Sequence, residues 1–438
     1  MIKIKNKKKQ KKIVYCAFAI DILHEGHINI LKAAYRLGDV VMGLLTDKGI
    51  AEYKQLPHFN YDQRRLVAQN IKYVKQVIPQ NSLDYTENLL KIKPDYVVHG
   101  DDWKNGIQKK TRANVIKVIK KWSGKLIEPK YTQNIKKSSI KDQISELGTS
   151  PDTRKSKLKR LLNAKSLVRI LECHSALAGL IIENLKIKKK ETVLEFDGLW
   201  SSSLTDSLLR GKPDNQSVDY STRISGLSEI LDVTSKPIIF DGDNGGRLEH
   251  LPFLIKSLER VGASAIILED KVGLKKNSLF KNQKGVKQDS IKNFCKKLSL
   301  AKKTKISNDF MIIARIESFI LGKNIDDALK RAEQYVKSGA DAIMIHSKEK
   351  VPDEIFDFGR KFFKSKYYKP IIAVPSSYSK TYEKDLIKNN IKIVIYANHL
   401  LRSSYPAMMK TAESILKNSR AFESEKSLAS VNEIISLI

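Results

Sequence analysis

Short apolar runs alternate with longer amphipathic stretches along almost the whole chain. The apolar runs predict strands buried in a parallel sheet, and the amphipathic stretches between them predict helices that cover that sheet. The alternation stops once, where SELGTSPDTRKSKLKR is polar and contains Gly, Ser and Pro. We therefore expect two α/β domains, residues 1–145 and 165–438, joined by a linker over residues 146–164.

The pattern before the linker predicts five strands separated by helices. These strands are IVYCAF, VVMGLL, VKQVIP, DYVVHG and KLIEPK. Buried strands that alternate with helices in this way are typical of a doubly wound sheet of the nucleotide-binding type.

The pattern after the linker predicts eight strands: VRILEC, TVLEFDG, KPIIFDGD, SAIILEDK, MIIARIE, AIMIHSK, PIIAVPS and KIVIYANH. Helical patterns separate most of them, for example NIDDALKRAEQYVKSG, in which Gly339 is expected to terminate the helix. Eight strands that alternate with helices predict a (β/α)₈ barrel.

Composition supports two folded domains and narrows the classes of ligand. The chain has 438 residues, of which 41% are hydrophobic, and this is enough for two cores. The formal net charge of +32 raises the alternative of nucleic-acid binding. However, the lysines are spread along the chain and do not form one basic face with aromatic side chains between them. The charge is better suited to attracting small anionic substrates.

Cysteine usage and apolar segments favour the cytoplasm. Cys16, Cys173 and Cys295 are far apart and have neither disulfide-framework nor metal-site spacing. The apolar run IVYCAFAI follows a basic start, but Asp21 and His24 interrupt it, so a cleaved signal peptide is not expected. No apolar run approaches the roughly 18 residues of a membrane span, so we expect no membrane partner.

Polar side chains follow the predicted barrel strands at the ends where barrel enzymes carry their active residues. Asp241 and Asp243 are two positions apart, so an extended chain would place both carboxylates on one side, with Gly242 allowing close approach. With Glu269 from the next strand they form a candidate Mg²⁺ site, because Mg²⁺ prefers oxygen ligands. The alternative is that these aspartates cap the helices that follow.

Cationic and polar groups at other strand ends are suited to a phosphoryl group. Arg315, His346 and Asn277 could donate hydrogen bonds to it. Arg315 lies within an apolar strand, where an unpaired charge would be costly, so it requires an anionic partner. That partner could be a substrate, or it could be Glu317 or another carboxylate of the barrel.

Six segments of the second domain resemble phosphoenolpyruvate mutase of the isocitrate lyase superfamily. They are DGLWSSSLTDSLLRGKPDN, DGDNGG, ILEDKVGLKKNS, IIARIESFI, DAIMIHSK and IYANHLLR, and the resemblance runs from about residue 165 almost to the end. The specific part is Glu269-Asp270-Lys271 followed by Lys275, Asn277 and Ser278. Lyases of the superfamily carry a catalytic cysteine on this loop, where this chain has lysine and asparagine.

The resemblance implies a role for each matching residue. Asp241, Asp243 and Glu269 would hold Mg²⁺, directly or through water. A second group would surround the substrate carboxylate and the migrating phosphoryl: Trp200, Ser202, Asn277, Ser278, Arg315 and His346. Asp214 would lie against the transferring group, and Lys275 would lie on a loop that closes over the substrate. Ser201 and Ser203 stand where relatives more often have Ala or Gly.

A short motif leads into the first helix of the N-terminal domain. His24, Gly26 and His27 form HxGH directly after the first strand. Histidines at a helix start can contact phosphates that also meet the free backbone amides of the helix. The alternative is that these are ordinary polar turn residues.

Residues 12–145 resemble the cytidylyltransferase superfamily, with further matches in YDQRR and HGDDW. The resemblance implies a nucleotidyltransferase-type sheet and CTP as a co-substrate, whose α-phosphorus a phosphate or phosphonate would attack. His24, Gly26, His27, Lys54, Arg64 and Asp101 would contact the nucleotide or the acceptor. At the usual ISST-type helix start, this chain reads Ile135-Lys136-Lys137-Ser138.

The sequence as a whole therefore predicts a two-domain enzyme of phosphonate biosynthesis. The barrel would interconvert phosphoenolpyruvate and phosphonopyruvate, and the first domain would transfer CMP from CTP to a phosphonate or phosphate. Alternatives are a phosphonopyruvate hydrolase, a superfamily lyase and, in another class, a basic nucleic-acid-binding protein. The resemblance also implies a homo-oligomer.

Overall fold

The computed structural model describes residues 11–130, 150–189, 192–273, 275–278, 283 and 285–437. The chain divides into two compact units. Unit 1 comprises Met1–Asp142, Asn163–Lys165 and Lys186–Leu194, and unit 2 comprises Gln143–Leu162, Ser166–Leu185 and Glu195–Ile438. The domain boundaries that composition suggests, 145 and 165, stay a prediction.

Unit 1 contains a five-stranded parallel sheet with helices between the strands. The strands are β1 (Ile13–Phe18), β2 (Asp39–Leu45), β3 (Gln76–Gln80), β4 (Tyr96–Val98) and β5 (Lys125–Ile127), in the order β3-β2-β1-β4-β5. The helices are α1 (Glu25–Tyr35), α2 (Asp47–Ala51), α3 (Tyr61–Gln69), α4 (Thr86–Ile92) and α5 (Lys109–Ile119). The central position of β1 and the reversal of strand order beside it confirm the predicted doubly wound sheet.

Unit 2 is a closed parallel barrel of eight strands. They are β6 (Val168–Glu172), β9 (Gly198–Ser201), β10 (Ile238–Asp241), β11 (Ala265–Glu269), β14 (Met311–Ile316), β15 (Ala342–Ile345), β16 (Ile371–Ala373) and β17 (Ile391–Tyr396), neighbours in chain order. The short pairs β7 (Ile187–Lys189) with β8 (Thr192–Leu194), and β12 (Lys271–Val272) with β13 (Lys287–Gln288), lie outside the barrel sheet. The predicted (β/α)₈ barrel is confirmed.

Helices follow the strands along the chain. They are α6 (Pro151–Ala164), α7 (Ala176–Asn184), α8 (Ser203–Leu209), α9 (Tyr220–Asp232), α10 (Leu251–Val261), α11 (Ile291–Thr304), α12 (Ile325–Lys337), α13 (Asp353–Phe363), α14 (Glu383–Lys388), α15 (His399–Asn418) and α16 (Val431–Ile435). Gly339 follows α12 with a φ of +110°, as its predicted role in ending that helix requires. Apolar side chains of helices and strands form one large core.

The second barrel strand differs from the predicted one. Thr192–Leu194 pairs antiparallel with Ile187–Lys189, whereas Gly198–Ser201 occupies the barrel. A Cβ on Gly198 would lie 2.7 Å from the side chain of Ile170 and equally close to the carbonyl oxygen of Pro237. The barrel therefore requires a glycine at this close approach, and the more strand-like run TVLEF before it masked the short strand.

Part of the predicted linker is helical. Residues of α6 such as Leu158 and Leu161 are buried, and Arg154 donates to the carbonyls of Leu231 and Thr234, each at 2.9 Å. The many lysines of this segment make it polar on average and hide its apolar face.

Within the described ranges, the structure contains no helix whose length and hydropathy would suit a membrane crossing.

Candidate active site

The predicted site residues of the barrel lie at the carboxyl ends of its strands. Asp241 ends β10, Glu269 ends β11, and Arg315 is the penultimate residue of β14. Glu269 and Arg315 are direct partners in the register between their two strands. Because all eight strands are parallel, these ends share one mouth of the barrel.

Asp241, Gly242 and Asp243 form a turn, which we call the aspartate turn. The extended geometry expected from their spacing is wrong, because β10 ends at Asp241 and Asp243 has a left-handed φ of +50°. A Cβ on Gly242 would lie 2.7 Å from the side chain of Ile266 and 2.9 Å from the carbonyl oxygen of Ile267, so only glycine fits. The two carboxylates nevertheless face a common partner.

That partner is Lys275, whose ammonium lies among three aspartates. It is 3.1 Å from Asp214 and 3.8 Å from Asp241, and it also contacts Asp243. Burial lowers the pKa of Lys275, but the carboxylates raise it by more, so the net shift is upward and the ammonium stays charged. The aspartates are thus neutralised by a side chain of the protein itself.

The three predicted metal ligands are not gathered as a ready site. Among the residues that the structure describes, no group of three His, Cys, Asp or Glu side chains is arranged to hold a metal ion. Asp241 and Asp243 contact Lys275, whereas the Oε2 atom of Glu269 lies 3.4 Å from Arg315. The expected convergence is therefore incomplete here because two cations separate the carboxylates, and metal ligation by them stays a prediction.

Ser203 connects the loop after β9 to the aspartate turn. Its hydroxyl donates to Asp241 Oδ2 at 2.9 Å and also accepts from Lys275. Burial raises the pKa of Asp241, but Lys275 and other nearby cations lower it by more, and the net pKa lies below its ordinary value. The sequence marked Ser203 as a departure from relatives, and the structure makes it a hydrogen-bond partner of a site carboxylate.

Arg315 is held in a network of buried charges. Its Nε donates to Glu317, and its Nη2 donates to Ser278 Oγ at 2.7 Å. Ser278 donates in turn to Glu317 at 2.7 Å, and Lys271 lies 3.0 Å from the same carboxylate. Arg315 therefore does pair with Glu317, the alternative to a substrate as its anionic partner. Its guanidinium also reaches Glu269 and Ser278.

Two buried ring nitrogens at the mouth have no hydrogen-bond partner within the described part of the chain. They are the buried Nε1 atom of Trp200 and the buried Nε2 atom of His346. Burial, together with the charge of Arg315, lowers the pKa of His346 to about 3, so its ring is neutral near pH 7. Buried polar atoms are normally satisfied, so Trp200 Nε1 is suited to a bound acceptor, and His346 Nε2 to a bound polar group.

Glu269 presents a complementary acceptor. Its Oε2 atom is buried and accepts no hydrogen bond within the described ranges, although Arg315 is 3.4 Å away. Burial raises the pKa of Glu269 to about 7, against the opposing effect of Arg315. A cation at this carboxylate would remove the cost of its burial.

The remaining predicted residues of the barrel lie beside this group. Asn277 donates to Asp214 Oδ2 at 2.9 Å, and the other oxygen of the same carboxylate lies 3.1 Å from Lys275. Ser202 is buried and immediately precedes α8, which begins at Ser203. The structure therefore brings Asp214, Lys275 and Asn277 together and places Ser202 next to the serine that binds Asp241.

Sequence reasoning missed two buried residues that support the site. Asp270 accepts from Tyr335 at 2.7 Å, Gln288 at 2.8 Å and Arg331 at 3.1 Å, so it anchors helix α12 and is no free ligand. Arg223 contacts the aspartate turn from helix α9. Asp270 stands in the Glu269-Asp270-Lys271 signature, but the sequence assigned it no role, and Arg223 lies in a helix, outside the strand-end motifs.

The HxGH motif of unit 1 begins helix α1. His24 is its extended N-cap residue, Gly26 is buried, and the ring centroids of His24 and His27 are 3.8 Å apart. His27 also packs edge-on against Phe18 of strand β1. The structure thus places both imidazoles together at a helix start, where the helix dipole favours anions.

The other residues of unit 1 that were predicted to contact the nucleotide have different surroundings from one another. Arg64 is buried and donates to the carbonyls of Ala19, Leu45 and Phe59 and to Asp47, so it holds loops together. Asp101 begins a 3₁₀ helix and its backbone N–H donates to Pro129. The ammonium of Lys54 lies over the ring of Tyr53. The segment Ile135 to Ser138 falls outside the described residues.

An aromatic pair sits next to Asp101. The His99 ring stacks on Trp103 at 3.9 Å, and Trp103 donates to Glu128 at 2.6 Å. Arg112 donates to both oxygens of Glu128, and this pairing lowers the pKa of Glu128 to about 2. The HGDDW segment is therefore rigidly held.

Comparison with known proteins identifies both parts of the chain. The model of the family described as phosphoenolpyruvate phosphomutase matches residues 158–416, more than half of the chain. The family described as cytidylyltransferase-like matches residues 19–145. The two matches follow one another along the sequence, as the resemblances had predicted.

Individual relatives agree with these matches. Phosphoenolpyruvate phosphomutase of Tetrahymena pyriformis is 34% identical over 65% of this chain and 91% of its own length. Phosphonopyruvate hydrolase of Variovorax sp. is 31% identical over 65% of this chain and 94% of its own length. Glycerol-3-phosphate cytidylyltransferase of Bacillus subtilis is 34% identical over 22% of this chain and 73% of its own length.

Solved structures give the same result for the barrel. A phosphoenolpyruvate phosphomutase from Streptomyces platensis subsp. rosaceus has a TM-score of 0.60 at 31% identity, covering 65% of this chain and 94% of its own. A phosphonopyruvate hydrolase in complex with oxalate and Mg²⁺ has a TM-score of 0.58 at 30% identity, with the same coverage. The chain therefore belongs to the phosphoenolpyruvate phosphomutase family and carries a cytidylyltransferase-like domain before its barrel.

Proposed function

We propose that the barrel is an isomerase that interconverts phosphoenolpyruvate and 3-phosphonopyruvate. The observation that supports this most directly is the set of buried polar groups at the mouth. Arg315 supplies a cation, Trp200 Nε1 supplies a donor, and His346 Nε2 would donate in one tautomer of its neutral ring; both nitrogens lack partners in the described structure. A small molecule with both a carboxylate and a phosphoryl group would satisfy them.

The reaction is an intramolecular transfer that needs no further reactant. The bond between phosphorus and the enol oxygen breaks, a bond between phosphorus and C3 forms, and the C2–O bond becomes a carbonyl. The migrating group is metaphosphate-like, so it needs charge stabilisation and exclusion of water. Arg315 and the neutral His346 would hold its oxygens, and Asp214 with Asn277 would lie beside its path.

We further propose that Mg²⁺ binds at this site. Asp241, Asp243 and Glu269 offer the hard oxygen ligands that Mg²⁺ prefers, and Glu269 Oε2 accepts no hydrogen bond among the described residues. A structurally similar hydrolase was solved with oxalate and Mg²⁺. When bound, Mg²⁺ would neutralise negative charge on the substrate oxygens.

Phosphorus NMR of the purified full-length protein with phosphonopyruvate and Mg²⁺ tests the main proposal. Appearance of phosphoenolpyruvate is the expected result, and Asp241→Ala protein serves as the inactive control. Accumulation of inorganic phosphate without phosphoenolpyruvate would instead support phosphonopyruvate hydrolase, the second candidate, which the 31% identity to such an enzyme favours. If phosphonopyruvate is consumed and neither phosphoenolpyruvate nor inorganic phosphate appears, both candidate functions are contradicted.

A lyase acting on a 2-hydroxy acid is a weaker candidate. The loop from Glu269 to Ser278 has no cysteine, the residue that the lyases of the superfamily place there. Incubation with dimethylmalate-type substrates should therefore give no carbon–carbon cleavage. Nucleic-acid binding is also disfavoured. We expect the protein not to retain DNA or RNA at any salt concentration.

We propose that unit 1 transfers CMP from CTP to a phosphonate or phosphate, within a pathway of phosphonate biosynthesis. An acceptor oxygen would attack the α-phosphorus of CTP, and pyrophosphate would leave. The two imidazoles at the start of α1 support this assignment because they lie where a triphosphate would meet the helix N-terminus.

Release of pyrophosphate by the full-length protein, given CTP and a panel of small phosphonates and phosphate esters, tests this second activity. His27→Ala should abolish the release, whereas Asp241→Ala should leave it unchanged, since the latter change lies in the barrel. Absence of pyrophosphate with every acceptor would refute the proposal for unit 1 without affecting that for unit 2.

We also propose a homo-oligomer in the cytoplasm. Helix α15 buries none of its residues, and Tyr405, Met408 and Leu416 are among its exposed apolar side chains. An apolar helix face of this length is costly in water and is suited to a second copy of the chain. The three cysteines are free thiols, as expected in a reducing compartment.

A further inference from the structure

Arg223 is a buried arginine behind the aspartate turn. It lies in the first turn of α9, its side chain is 1% exposed, and its guanidinium lies 4.3 Å from the ring centre of Phe240. A guanidinium is rarely buried to this degree without several partners. Its contacts therefore indicate what the residue does.

The guanidinium connects two strand ends of the barrel. Nη1 donates to the main-chain oxygen of Asp241 at 2.7 Å, and Nη2 donates to that of Ser201 at 3.4 Å. Both bonds go to backbone carbonyls, so the carboxylate of Asp241 stays available to Ser203 and Lys275. Arg223 thus fixes the backbone of the turn through a main-chain carbonyl.

The charge of Arg223 is balanced on both sides. Its Nε donates to Asp206 Oδ2 at 3.0 Å, and Nη1 lies 3.6 Å from Asp243 Oδ2. Burial lowers the pKa of Arg223, but Asp243, Asp241 and Asp206 raise it by more, so it is permanently cationic. It therefore also offsets the repulsion between Asp241 and Asp243.

A second residue of the same helix turn binds the next peptide group of the aspartate turn. The hydroxyl of Tyr220, three positions before Arg223, donates to the carbonyl oxygen of Gly242 at 2.8 Å. Consecutive carbonyls of the turn, those of Asp241 and Gly242, are therefore both bound by α9. This matters because Asp243, next in the chain, has the uncommon φ of +50°.

We propose that Arg223 is a positioning residue of the aspartate turn: it holds the backbone of Asp241, next to the Gly242 carbonyl held by Tyr220, so that the Asp241 and Asp243 carboxylates face the barrel mouth. In this assignment Arg223 acts through the turn and is not itself a ligand of substrate or metal. That these carboxylates serve a metal-dependent reaction rests on the proposed function, whereas the positioning of the turn does not.

Arg223→Lys is the informative variant, because it keeps a cation but cannot reach Ser201, Asp206 and Asp241 together. Arg210→Lys is the matched control: Arg210 also binds Asp206, at 2.5 Å, but its hydrogen bonds within the described residues go to Asp206 and not to the turn. Three quantities are measured on full-length protein: hydrogen exchange of a peptide covering Asp241 to Gly245, Mn²⁺ affinity, and turnover against Mg²⁺ concentration.

In Arg223→Lys, exchange of the turn amides should accelerate at least tenfold and Mn²⁺ affinity should fall at least tenfold, while the Arg210→Lys protein stays within twofold of wild type. Turnover should fall and be partly restored by raising Mg²⁺, whereas KM for phosphoenolpyruvate at saturating Mg²⁺ should change less than threefold. A merely structural role would not produce rescue by Mg²⁺.

Two results would overturn the proposal. One is unchanged exchange of the turn in Arg223→Lys, and the other is equal acceleration in Arg210→Lys. If the wild-type protein neither binds Mn²⁺ nor turns over phosphoenolpyruvate, the proposed function fails, but the exchange measurement still decides whether Arg223 positions the turn. If Arg223→Lys does not fold, Tyr220→Phe tests the same turn through its other hydrogen bond.

Discussion

The ammonium of Lys275 lies 3.1 Å from the carboxylate of Asp214. The same ammonium contacts both aspartates of the aspartate turn, so one side chain from the loop after β11 neutralises three carboxylates from two other segments. A dication could take over this neutralisation, since it would satisfy the same oxygens with a larger charge.

Replacing Lys275 should therefore separate turnover from metal binding. In Lys275→Ala we expect turnover to fall at least 100-fold, because the loop loses its contacts with Asp214 and Asp243. Mn²⁺ affinity, measured by titration calorimetry, should stay equal or increase, because a competing cation is removed. Lys276→Ala is the control in the same segment and should keep more than a third of wild-type turnover. Weaker Mn²⁺ binding in Lys275→Ala would contradict the competition.

Asp241→Ala should abolish turnover and spare the fold. The residue ends β10, where its carboxylate binds Ser203 and faces Lys275, so its loss removes site contacts but no core packing. Asp219→Ala is a useful contrast, since it removes the N-cap of α9 and should cost about 1 kcal/mol of stability without abolishing turnover. Full Mg²⁺-dependent activity of Asp241→Ala would refute its role.

Protonation of His346 in the unfolded chain should make the folded barrel less stable in acid. Burial lowers its folded pKa to about 3, whereas the unfolded value is near 6.5. As pH falls from about 6.5 toward 3, the unfolded chain takes up a proton that the folded chain does not, so stability present above pH 6.5 is progressively lost. In His346→Asn, calorimetric midpoints should depend less on pH across this window.

The control for that measurement is His250→Asn, because His250 is an exposed histidine at the start of α10. It should leave the pH dependence of the barrel midpoint unchanged. Identical acid slopes in wild type and His346→Asn would show that His346 is not held neutral by burial.

The apolar face of α15 should be needed for assembly. Leu416→Glu, at a position 82% exposed, should shift the sedimenting species toward the monomer, because it puts a charge on the proposed contact surface. Lys410→Glu lies on the same helix and should leave the sedimentation coefficient unchanged. A wild-type protein that sediments as a monomer at micromolar concentration would contradict the homo-oligomer.

The sequence was sufficient for the architecture where apolar runs are long. MIIARIE and SAIILEDK each contain a buried barrel strand, and the polar residues after them lie at the mouth, because parallel strands carry the same ends to one side. The strand Gly198–Ser201 could not be found in this way. It is short, and the glycine that lets it fit lowers the strand signal of the segment.

The inner arrangement of the site could be predicted only in part. The types of residue at the strand ends indicated carboxylates and a phosphoryl-binding cation, but spacing along a strand could not foresee that Asp243 lies beyond its end with a positive φ. Nor could it place Lys275 or Arg223, since loop and helix residues reach the turn through the tertiary fold. Such contacts depend on side-chain reach across elements, which no local pattern records.

Asp270 fixes both stems of the segment that follows β11. Its carboxylate binds Gln288 and the backbone N–H of Glu317, and its own carbonyl accepts from the N–H of Asp289. The stretch between Lys271 and Gln288 thus starts and finishes at anchored points. Grafting the homologous stretch of a mutase or a hydrolase between these points would keep Asp270 but replace Ser278, which binds Arg315 and Glu317. The products of such chimaeras would reveal how far this stretch alone selects the outcome.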